Sequence, residues 1–135
     1  MKSVMRYDES GGSHDAPATV DAVEAALAKL DNLTRTSIVV EIEAPDASQT
    51  LLSFHGHVAG PLVCSWVRMT ADGPEFERWL LGSSVAADKI GVRVWGVDTK
   101  LPARFAVSAE AARSRVSNLL AGEDLEQHGP WEDTL

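Results

Sequence analysis

The chain has 135 residues, 44% hydrophobic and 24% charged, with 20 acidic against 12 basic side chains and a formal charge of −8. That length suits one ordinary domain, and the composition excludes a disordered chain. The acidic balance argues against nucleic acid or an anionic membrane as ligand, since both would repel it, and favours a basic protein partner.

Residues 1–16 carry Ser, Gly, His and Asp without periodicity and are expected to form a flexible leader, so that one domain occupies 17–135. No secretory apolar region and no apolar run of about 18 residues is visible, so the expected compartment is the cytoplasm. Thr19 reads as an N-cap, and Val20, Val23, Leu27 and Leu30 make one apolar stripe. This predicts an amphipathic helix of about three to four turns, stopped at Asp31-Asn32.

The period then becomes two. Ile38, Val40 and Ile42 share one face of a strand, with Glu41 and Glu43 on the other. After turn chemistry at 44–48, strands are predicted over Thr50–Phe54 and Leu62–Met69, with a short and poorly alternating one over Phe76–Leu81. Ile90–Val97 reads as one strand, with Val92 and Val94 on one side and Arg93 and Trp95 on the other. A second helix starts at Ser108 and stops at Gly122, with Ala112, Val116, Leu119 and Leu120 on its apolar face. The last thirteen residues, from Glu123, hold five acids and no Lys or Arg. The pattern predicts an α+β fold: an antiparallel sheet of about five strands with an N-terminal and a C-terminal helix packed on one face.

Motifs for catalysis are missing. There is no phosphate-binding glycine loop, no dinucleotide fingerprint and no zinc-finger spacing. His55 and His57 sit two apart and could share a face, but a third ligand is not apparent, so a structural role is expected and no metal or cofactor is assigned. Cys64, the single cysteine, lies in the apolar run 61–67, where a buried and inert thiol is expected. Trp66 suits the core, while Trp79, Trp95 and Trp131 suit either the domain edge or a contact surface.

The second half resembles a family of bacterial immunity proteins, the first catalogued family of those guarding against polymorphic toxins. The residues that carry the resemblance run in order: Trp95-Gly96 ending a strand, Leu101-Pro102, a Val107-Ser108 helix start, Ala111-Ala112-Arg113 and Val116 within it, Leu119-Leu120-Ala121-Gly122 closing it, and Trp131-Glu132. Upstream, an N-terminal helix and a strand loop carrying Gly56 and Gly60 are similar too. The approach to the last tryptophan, Glu126-Gln127-His128-Gly129-Pro130, departs from the family's pattern. The resemblance implies a cytoplasmic, non-enzymatic antidote that covers the active cleft of a cognate toxin, often of the nucleic-acid deaminase type. A cleft for nucleic acid is expected to be basic, which fits the acidic chain. The expected contacts are Glu41, Glu43, Trp95, Glu123, Asp124, Trp131 and Glu132. A secretion chaperone or assembly adaptor would share the same fold and surface.

Overall fold

The computed structural model describes residues 2–82 and 88–134. In chain order the elements are β1 (Lys2–Glu9), β2 (Gly12–Pro17), α1 (Val20–Leu27), β3 (Ser37–Glu43), β4 (Gln49–Gly56), β5 (Leu62–Thr70), β6 (Gly73–Leu80), β7 (Lys89–Val94), β8 (Val97–Pro102), α2 (Ala109–Leu120) and β9 (Trp131–Asp133). The fold is α+β. Seven strands form one sheet in the order β2-β1-β3-β4-β5-β6-β9, and β7 and β8 pair separately. Every strand pair is antiparallel.

The alternation of β3 sets the two faces of the large sheet. Ile38 lies opposite Phe54 and Val40 opposite Leu52, and these continue to Cys64 and Trp66 on β5. All six join the main core, together with Val23, Ala26 and Leu27 of α1 and Ala112, Val116 and Leu119 of α2. Both helices begin as their caps require: Thr19 Oγ1 accepts the Ala22 N–H at 3.1 Å, and Ser108 Oγ accepts the Ala111 N–H at 3.0 Å. On the opposite face of the sheet a smaller core forms from Val63, Val92 and Phe105, with Trp79, Leu81 and Val94 against it. The β7–β8 hairpin therefore packs on the face opposite the main core.

Four expectations need correction. Residues 2–17 form the β1–β2 hairpin instead of a flexible leader, turning at Ser10-Gly11 with φ of 52° and 83°. β1 inserts beside β3, and Met5 is buried opposite Val40. The sheet is consequently larger than five strands. Ile90–Val97 is not one strand but most of β7, a turn and the start of β8, so Trp95 occupies the turn and no strand face. Finally, α1 spans 8 residues, shorter than expected. It ends because Lys29 and Leu30 donate to Ala26 and Leu27, three residues back, and Asp31 then captures the following backbone.

Candidate functional site

Three segments converge where the β7–β8 hairpin meets the upper edge of the large sheet: the end of β1, the loop 31–36 leading into β3, and the hairpin tip. The loop is shaped by Asp31. Its Oδ1 accepts the N–H groups of Leu33, Thr34 and Arg35 at 2.9, 2.9 and 3.0 Å. Those bonds, the one from Arg35 foremost, hold the Asp31 carboxyl far below the usual range. Leu33, inside the loop, is left 68% exposed.

Beneath the tip lies a row of polar side chains across the sheet. Asp8 Oδ1 accepts the N–H of Thr36 at 2.7 Å and of Ser37 at 2.8 Å, and Oδ2 accepts the Thr36 hydroxyl. Ser37 Oγ lies 2.7 Å from His55 Nδ1. Asp8, Thr36, Ser37 and His55 are all buried. Two hairpin amides close the row from above. Trp95 N–H donates to Ser37 Oγ at 2.7 Å, and Gly96 N–H donates to Thr36 Oγ1 at 3.0 Å. Ser37 Oγ, which accepts from Trp95, thus also holds His55 Nδ1, the direction of that second bond following the imidazole tautomer. Burial pushes the His55 imidazole down to about 4, against the pull of the Asp8 charge, so the ring is neutral around pH 7.

The tip is a two-residue turn with both φ values positive, 53° at Trp95 and 81° at Gly96. That geometry suits right-twisted strands and is normally met by Asn-Gly. Glycine takes it freely, whereas a bulky residue at positive φ is strained. Tryptophan is held there by the Ser37 hydroxyl and by an edge-on contact with His55, ring centroids 6.3 Å apart. It remains 42% exposed, and Val97 beside it 66%. Among the described residues, Leu33, Trp95 and Val97 are three of the four exposed large apolar side chains, the other being Val20 on α1. A cleft of about 330 Å³ runs between Leu33 and Trp95, lined also by Gly96, Thr36, Asp8, Gly11 and Gly12. These outward apolar groups stand on loops fixed by buried hydrogen bonds.

The other sequence-predicted residues lie elsewhere. Glu41 and Glu43 line a small hollow of about 110 Å³ with Val4, Arg6 and Gln49, on the sheet face opposite the main core. Arg6 bridges Glu41 at 2.7 Å and Asp15 at 3.3 Å. Glu123 receives Asn118 at 3.0 Å and pairs with His128 at 2.9 Å, while Asp124 caps the turn 125–128 through the Glu126 N–H. Trp131 packs against Trp66 with centroids 5.2 Å apart and donates Nε1–H to the Leu125 carbonyl at 2.8 Å. Glu132 holds Arg104 with two bonds of 3.0 and 2.7 Å, which keep the Glu132 carboxyl below its ordinary value. These four residues hold the turn 125–128 and the β9 edge of the sheet together. Only Trp95 of the seven belongs to the converging segments.

Sequence reasoning missed Asp8, Leu33, Thr36, Ser37 and Val97. Of these, Ser37 carried a readable signal, because β3 alternation puts it on the same face as Glu41. Cys64 is fully buried and burial pushes its thiol up. His57 Nδ1 accepts the Ala59 N–H at 2.9 Å instead of sharing a site with His55. Among the described residues no group of three His, Cys, Asp or Glu is placed to hold a metal ion. No described helix is long and apolar enough to cross a membrane.

Ser37 and His55 invite comparison with a nucleophile and its base. Ser37 is fully buried, however, and its hydroxyl is spent on Trp95 and His55. A reacting substrate has no approach to it, so the pair acts as the seat of the tip. A scan against protein-family models found no match for this chain, and neither did a search of curated proteins.

Proposed function

We propose that this chain is a cytoplasmic, non-catalytic immunity protein, needing no cofactor, that docks on a cognate toxin through its β7–β8 tip and covers the toxin's active cleft. The toxin is of the nucleic-acid-targeting, deaminase-type class, with a basic cleft. The observation that carries the docking part is Trp95: a strained, outward tryptophan anchored by a buried serine, with Leu33 and Val97 exposed beside it. Tryptophan is a frequent interface anchor, and strain retained at one exposed residue points to a use for that residue. The charge of −8 supports a basic partner and an association rate that falls with added salt. The resemblance of the second half to immunity proteins supports the class.

The test is capture of a partner from the native host, comparing the wild-type chain with Trp95→Asn. Asparagine tolerates positive φ, so the turn keeps its shape and stability stays within about 1 kcal/mol of wild type. The expected result is one toxin-like protein at near-equal amounts, inhibited by the wild-type chain and bound at least about 30-fold more weakly by the variant. Recovery of secretion components in its place would move the assignment to an adaptor. Undiminished binding by the variant would remove the tip from the interface.

A further inference from the structure

We propose that the cleft beneath the tip receives one cationic side chain of the protein partner, an arginine or lysine, between Asp8 and Trp95. This rests on the reading of the tip as the docking surface. Asp8 is only 9% exposed and lines the cleft. Its three hydrogen bonds come from the Thr36 amide, the Thr36 hydroxyl and the Ser37 amide, all neutral groups. Among the described residues no Lys, Arg or His forms an ion pair with it; the arginines nearest in the chain, Arg6 and Arg35, pair with Asp15, Glu41 and Glu9. A buried carboxylate compensated by neutral donors alone is costly, and a carboxylate offers about four acceptor positions, of which three are filled.

Among the described residues that line the cleft Arg93 is the one cation, and its guanidinium is turned to Asp98 on its own hairpin at 3.0 Å. It leaves Asp8 uncompensated. The volume of about 330 Å³ equals roughly ten waters, ample for a guanidinium head. Gly11 and Gly96 contribute no side chains to block entry. Trp95 adds an aromatic surface, which attracts a cation lying within about 6 Å of its ring. Arginine suits the place best, being planar, weakly hydrated and able to stack while it donates. A partner with a basic cleft carries such a side chain, and inserting it would neutralise charge on both sides of the interface.

The test uses N-acetyl-arginine amide and its neutral isostere N-acetyl-citrulline amide as probes, read by amide and indole NMR shifts of the folded chain. The expected result is a saturable response at Thr36, Ser37, Trp95 and Gly96, with a millimolar dissociation constant for the arginine probe and binding at least about tenfold weaker for citrulline. Asp8→Asn should abolish the difference between the probes. Should that variant unfold, Trp95→Leu keeps Asp8 and removes the aromatic face, and should weaken the arginine probe several-fold. Equal responses to both probes, no saturable response in the millimolar range, or full binding by whichever variant is folded would overturn the proposal. Loss of partner capture by Trp95→Asn together with a silent arginine titration would reject the cation site and leave the docking surface standing. Intact capture with a specific arginine response would do the reverse.

Discussion

Ser37 Oγ, fully buried at the start of β3, accepts the backbone N–H of Trp95 from 58 residues further along the chain, at 2.7 Å. The same oxygen faces His55 Nδ1 at 2.7 Å. One hydroxyl thus serves the large sheet and the hairpin at once. Ser37→Ala would leave the Trp95 amide and the imidazole nitrogen without this partner, at about 1–3 kcal/mol for each group left buried and unsatisfied. We expect a loss of about 2–3 kcal/mol in urea unfolding. A loss below about 0.5 kcal/mol would mean that water replaces the hydroxyl and that the tip is not held from below.

His55 gives the chain an acid limb of instability. An unfolded histidine takes up its proton near pH 6.5, whereas the folded ring stays neutral down to about pH 4. Between those values the unfolded state binds the extra proton, so stability is complete above about 6.5 and falls as the pH drops towards 4. The full difference is about 3 kcal/mol. Urea midpoints measured across this range should decline for the wild type and decline less for His55→Gln, which can still meet the Ser37 hydroxyl. Parallel declines would assign the acid sensitivity to carboxylates.

Gly56 closes β4 with a φ of 113°, and a Cβ there would lie 2.2 Å from the Pro61 carbonyl oxygen. Gly96 has a similar φ of 81° but open space around it. Gly96→Ala should therefore cost only the conformational term, about 1 kcal/mol, while Gly56→Ala adds a collision with backbone and should cost about 3 kcal/mol or more. Thermal unfolding of the two variants side by side checks the difference; equal costs would show that β4 and the loop before β5 can separate freely.

Trp131 was expected at a contact surface, and its packing predicts a structural phenotype. Trp131→Ala should cost about 3 kcal/mol by removing the ring from Trp66, and Trp131→Phe about 1 kcal/mol by removing the Nε1–H bond to Leu125. Chemical denaturation measures both. An alanine variant as stable as wild type would free this residue for the interface role.

The parts legible in the sequence were those with a strong local period. β3 showed its two faces, and the caps Thr19 and Ser108 marked both helix starts at the residues observed. The β1–β2 hairpin was hidden because β2, an edge strand of Gly, Ser, His, Asp, Ala and Pro, is mostly solvated and has no apolar stripe to read. The β7–β8 hairpin was hidden for a different reason: its turn places a tryptophan where Asn-Gly chemistry would have announced it. Trp95 was picked out as a contact residue from its type, but the Asp8, Thr36 and Ser37 seat beneath it joins segments far apart in the chain, and no local spacing reports such a meeting.

The separate pairing of β7 with β8 also bears on the order of assembly. As the chain leaves the ribosome, β1 to β5 can pair well before residue 95 exists, and Asp8, Thr36, Ser37 and His55 then face water. The hairpin follows later in the chain and covers them. Because none of its ladder bonds belongs to the large sheet, it can lift away again without unravelling what lies below. In amide hydrogen exchange, Trp95 and Gly96 should then lose their protons through this opening while Val40 and Leu52 wait for global unfolding.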